Sequence, residues 1–218
     1  MTWGACGRDW DDVWYPASED VRVLSAAGEV LVEVDHEEQL RIIRRFDVGP
    51  RGLLLEWERS AVALQRLGAQ PFHFAYEPAG SRYQELLSAS LRWCAYGSVV
   101  MQDFPWTEAA LRAVEELRPW HAVEVRAPEW PGTRPSKPAK VIVFTLQPGT
   151  IAILTSLARR LYQWAQPNLP EDLCLFRATG EPWLVSIAHE SDGWVNLTPE
   201  ELHALSEAIA PLPLKSPQ

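Results

Sequence analysis

The run "WLVSIAHESDGW", residues 183 to 194, sets His189 beside Glu190 at the end of an apolar stretch. A histidine and a carboxylate are the side chains of general acid–base chemistry near neutral pH, so this is where a reaction would first be sought. Asp192-Gly193 is a preferred pair for a two-residue hairpin turn, in which both central residues take positive φ. With that turn Ser191 pairs with Trp194, Glu190 with Val195 and His189 with Asn196. Alternation then puts His189 on the face of Val185 and Ile187 and Glu190 on the opposite face, so the two are expected to point apart.

A catalytic His189 therefore needs help from elsewhere: His36 or Glu37, His73 in "FHFAYE", or His121 in "WHAVEV". This defines one reading, a small hydrolase acting on a small molecule or phosphoester through His189 and a carboxylate, with or without a metal. Against it, a histidine at a strand end is more often a hydrogen-bonded structural residue. The chain also has no H-E-x-x-H, no G-x-S-x-G elbow and no phosphate-binding glycine loop. Neither a cofactor nor a metal site is expected. Cys94 and Cys174 read as small core residues, and three cysteines without a C-x-x-C spacing make neither a disulfide framework nor a zinc knuckle. "LPEDL", 169 to 173, reads as a turn into a strand. Arg159 and Arg160 suit the negative end of a helix, while Arg41, Arg44 and Arg45 suit a solvated face.

The elements that would position these residues alternate between strand and helix. "VRVLSAAGEVLVEV", 21 to 34, reads as a hairpin. Asp35 and Glu38 make a capping-box spacing ahead of Leu40, Ile42, Ile43 and Phe46, so a helix is expected there. The segment 51 to 68 fits either a strand or a helix. Beyond it, "FHFAYE", "SVVMQDF", "HAVEVRA", "VIVFTLQ", "LCLFRA", "WLVSIAHE" and "WVNL" read as strands. "SRYQELLSASLRWCAY", "TEAALRAVEELRPW", "PGTIAILTSLARRLYQW" and "TPEELHALSEAI" read as helices. The last begins with Thr198 at the cap, Pro199 at the first helical position and Glu201 three residues after the cap.

The expected fold class is α+β: a single domain over 20–212, with a mixed, largely antiparallel sheet covered by helices and ββα units near both ends, at 21–46 and 183–210. "PEWPGTRPSKPAK", 128 to 140, is too rich in proline for regular structure and reads as a long loop between two strands. Residues 213–218 are a tail. Residues 1–19 read as an irregular arm in which Trp3, Trp10, Trp14 and Tyr15 alternate with Asp9, Asp11 and Asp12.

A net charge of −9 argues against general binding of nucleic acid or anionic lipid and favours a basic protein partner. No stretch reaches the roughly 20 apolar residues of a membrane span, and the N-terminus does not resemble a signal peptide, so a cytoplasmic protein is expected. Tryptophan, with 11 copies, suits both cores and interface anchors. Trp3, Trp10, Trp14, Tyr15 and Trp130 are the interaction candidates. Together these point first to a non-enzymatic interaction module, an inhibitor or immunity-like partner of a basic protein.

Overall fold

A computed structural model describes residues 64, 67–209, 211, 214 and 215, together with the backbone of four short strands nearer the N-terminus. The chain divides into two compact units, Met1–Gly52 and Leu53–Gln218.

In the first unit, β1 (Val13–Trp14), β2 (Val21–Leu24), β3 (Val30–Val34) and β4 (Leu40–Arg44) form an antiparallel sheet in that order. The hairpin at 21 to 34 forms as its alternation requires, with Val21 opposite Val34 and Leu24 opposite Leu31. The helix expected over 35–46 does not form at its apolar part. Leu40–Arg44 is a strand, with Ile43 opposite Leu31, Ile42 opposite Val32 and Arg41 opposite Glu33. Two adjacent β-branched residues lose side-chain freedom in a helix and favour a strand. The unit near this end is thus a meander and not ββα. Trp14 belongs to a strand paired with Val23 and not to an irregular arm. Trp3, Trp10, Tyr15, His36 and Glu37 lie outside the described residues, as does most of 51–68.

The second unit carries the α+β fold. Its strands are β5 (Gln70–His73), β6 (Cys94–Met101), β7 (His121–Ala127), β8 (Ala139–Thr145), β9 (Glu171–Arg177), β10 (Pro182–Ile187) and β11 (Asp192–Leu197), in the order β5-β11-β10-β9-β6-β8-β7. Every neighbouring pair is antiparallel, so the sheet is not mixed. Each helical crossover does join two strands running the same way, as alternation of strand and helix suggests. Other strands are inserted between them each time: β11, β10 and β9 lie between β5 and β6, β8 between β6 and β7, and β6 between β8 and β9.

Among the described residues four helices, α1 (Ser81–Ser90), α2 (Glu108–Leu117), α3 (Pro148–Leu157) and α4 (Pro199–Ala208), pack on one face. Leu86, Leu117, Leu154 and Leu205 from the helices meet Phe144, Leu175, Leu184 and Val195 of the sheet in one apolar cluster. In α2 the buried residues Ala110, Ala113 and Leu117 follow helical spacing, and Thr107 caps the start. The capping box of α4 forms as read, Thr198 Oγ1 accepting from Glu201 N at 3.2 Å and Thr198 N donating to Glu201 Oε2 at 2.9 Å. Two helices stop sooner than their periodicity suggests. Residues 94–96, placed in the first helix by its pattern, open β6. α3 ends at Leu157, because the chain beyond it is extended and tied to the segment before α1: Leu161 N donates to Pro78 O at 3.0 Å and Gly80 N to Arg159 O at 2.8 Å. Arg159 and Arg160 therefore lie past the helix end.

The opposite face holds a second cluster, Val100, Val141, Val143, Cys174, Phe176 and Val185, with Trp130 laid on it from the loop between β7 and β8. Burial pushes the Cys94 and Cys174 thiols well up, which suits core residues.

Candidate functional site

The turn carrying His189 differs from the expected one. The register is Leu184 opposite Val195, Val185 opposite Trp194, Ser186 opposite Gly193 and Ile187 opposite Asp192. Asp192 and Gly193 are therefore strand residues, and the connection is the 3-10 turn Ala188–Glu190 closed by Ser191 at φ 54°. Gly193 is needed for space: a Cβ there would sit 2.9 Å from the Val185 carbonyl oxygen. Because 189 and 190 lie on a helical turn and not on a pleat, their side chains do not diverge. His189 Nε2 is 3.8 Å from Glu190 Oε1, with side chains 49% and 62% exposed. An ion pair so open to water is weak.

Among the described residues the histidines do not gather into one site. His73 Nδ1 is 3.3 Å from Asp192 Oδ1 and its ring is 5.3 Å from that of Trp194. His121 begins β7 at the far edge of the sheet, where six inter-strand spacings amount to roughly 29 Å. Among the described residues no group of three or more His, Cys, Asp or Glu is placed to hold a metal ion.

What the sheet does assemble next to His189 is a pair of buried carboxyls, Glu171 and Asp172. The β6–β9 register shifts between Ser98 and Val100, so β9 bulges where it begins. Asp172 takes φ 55° there, a left-handed conformation that Asp tolerates better than most residues. The bulge turns its backbone N–H to Trp164 O at 3.1 Å and aims its side chain at the sheet face bearing Trp130. Trp130 Nε1 donates to Oδ2 at 2.7 Å, Thr133 Oγ1 to the same oxygen at 3.4 Å, and Ala188 N to Oδ1 at 2.9 Å. One carboxylate thus ties together the bulge, the proline-rich loop and the turn carrying His189. Glu171, 2% exposed, accepts from Gln102 Nε2 at 2.6 Å. Burial is the main influence on both acids and raises them above the ordinary carboxylate range, while His189 is close enough to act in the opposite sense.

Trp130, an interaction candidate in the sequence, is 1% exposed and anchors the loop from within. Around it the loop closes on itself, with Trp130 and Thr133 bridged in both directions. Gly132 at φ 77° lies so close to Ile187 that a Cβ would sit 2.7 Å from its side chain. Arg134 pairs with Glu129 at 2.7 Å, and Ser136, Lys137 and Pro138 are exposed. Sequence reading missed Glu171 and Asp172, because two acids after a proline look like a solvated turn. Their only signal was position, directly before the unbroken apolar run of β9.

A second buried polar group lies at the other end of that strand. Arg177 Nη2 donates to Glu201 Oε2 at 2.6 Å and to Asn196 O at 2.9 Å, which ties β9 and β11 to the start of α4. Comparison of the chain with protein-family models, curated proteins and solved structures finds no match in any of the three.

Proposed function

We propose that the protein is a non-enzymatic interaction module that presents the loop 128–138 to a protein partner. The observation supporting this is the anchoring of that loop by Trp130 on Asp172. A proline-rich excursion is costly to order on binding, and one already held by a buried hydrogen bond loses less entropy when it docks. The net charge of −9 favours a partner of opposite overall charge. The loop tip itself carries Arg134 and Lys137, so the acidic excess lies elsewhere on the chain. Affinity capture from a lysate of the native cell at moderate salt tests the reading. Stoichiometric recovery of one protein is expected, weakened by Trp130→Phe and by added salt; recovery unaffected by Trp130→Phe would remove the loop from the account.

The raised Glu171 and Asp172 beside His189 favour a second reading, acid–base hydrolysis of a small molecule or phosphoester. On that reading Glu171→Gln and His189→Ala abolish hydrolysis of small ester and phosphoester substrates and leave partner capture intact.

A further inference from the structure

The two edges of the seven-stranded sheet are finished differently. Along β5 the C-terminal residues add a partner: Phe74 bridges Leu214, and Lys215 N donates to His73 O at 2.8 Å. Among the described residues β7 ends the sheet at the other edge, where His121, Glu124 and Arg126 are exposed and Ala122 and Val125 half-buried. An edge strand offers a row of N–H and C=O groups to any strand that can align with it. The geometry points to β7 of a second copy of this chain as that strand, antiparallel and centred on Val125.

The backbone narrows the register first. In an antiparallel ladder, directly opposite residues both turn their hydrogen-bonding groups toward each other or both away, so two copies of β7 align only about a residue and not about a peptide bond. Charge then selects the residue. Centring on Glu124 sets two carboxylates face to face, and centring on Arg126 two guanidiniums. Centring on Val123 runs into the irregularity between His121 and Val123. Centring on Val125 sets Glu124 opposite Arg126 of the partner subunit, and Arg126 opposite the partner's Glu124. Val123 then faces the partner's Ala127, which continues the apolar face of the sheet from one copy to the next.

The charges already held within the chain extend this pattern. Lys140 Nζ lies 2.9 Å from Glu124 Oε1, and Arg126 Nη2 lies 3.0 Å from Asp103 Oδ1. Across the joined edge the row would read Lys140, Glu124, the partner's Arg126, the partner's Asp103, alternating in sign throughout. Phe104, next to Asp103, is 47% exposed and adds apolar surface near this edge. Pro128 and the irregularity at His121 confine the pairing to Val123–Ala127, so the interface is small and of the transient class.

Sedimentation of the full-length protein over a concentration series tests the proposal. The wild type should pass from monomer to dimer as concentration rises. Glu124→Arg and Arg126→Glu, each alone, set like charges opposite and should weaken association about tenfold or more. An equimolar mixture of the two variants should dimerise again, because a strand with two carboxylates then faces one with two guanidiniums. Melting curves of both variants confirm that they are folded. A wild type that stays monomeric throughout, a dimer that survives in both single variants, or a mixture that stays monomeric would each overturn the proposal. Lysate capture bears on the partner reading alone, so the two can fail separately.

Discussion

Trp130 Nε1 donates to Asp172 Oδ2 across 2.7 Å, and both residues are buried. This contact joins a loop between two outer strands to a bulge on a central one, 42 residues away in sequence. Replacing the indole by Trp130→Phe keeps most of the apolar contact and removes the donor. A buried acceptor deprived of a partner costs about 1–3 kcal/mol. The expected outcome is a melting temperature lower by several degrees, with proteolysis first appearing within 128–138. An unchanged melting temperature together with an unchanged cleavage pattern would show that the loop is held by other contacts.

Glu171 and Asp172 also make stability depend on pH. Burial raises both carboxyls, so the folded chain holds these protons more tightly than the unfolded chain. Their contribution to stability is then fully present below the unfolded-state value, about 4, and is lost as pH rises through the higher folded-state value. Glu171→Gln removes one of the two ionisations while keeping an acceptor for Gln102. Denaturant unfolding from about pH 4 to neutrality should show the difference between variant and wild type moving steadily in the variant's favour. A difference that does not change with pH would mean that Glu171 ionises as it does in water.

The turn before β11 gives a third test. Ser191 holds φ 54°, which costs a residue with a Cβ on the order of 1 kcal/mol that glycine avoids. Gly193 lies in the strand, where a Cβ would meet a backbone oxygen at 2.9 Å and overpacking costs about 1–3 kcal/mol. Ser191→Gly should therefore stabilise the protein and Gly193→Ala destabilise it. If Ser191→Gly instead destabilises, the turn lies at Asp192-Gly193, as local preference suggests.

The sequence by itself determined the elements whose signals are local. Alternation in "HAVEVRA" defines β7 to the residue, the apolar run of "VIVFTLQ" places β8 to within two residues at each end, and Thr198, Pro199 and Glu201 define the start of α4, because pleat spacing and capping act over a few residues. The α+β class follows from the same signals. Tertiary structure alone decided the rest. Leu40–Arg44 is a strand because a neighbouring strand stands ready to pair with it, and helix periodicity takes no account of neighbours. His189 and Glu190 come together because ladder register moved the turn by three residues, and register is set by packing across strands and not by the favoured turn dipeptide alone. Glu171 and Asp172 are buried because a bulge and a loop 42 residues distant close over them. Burial and register are sums over contacts between distant segments, and one-dimensional order does not contain those contacts until the chain has folded.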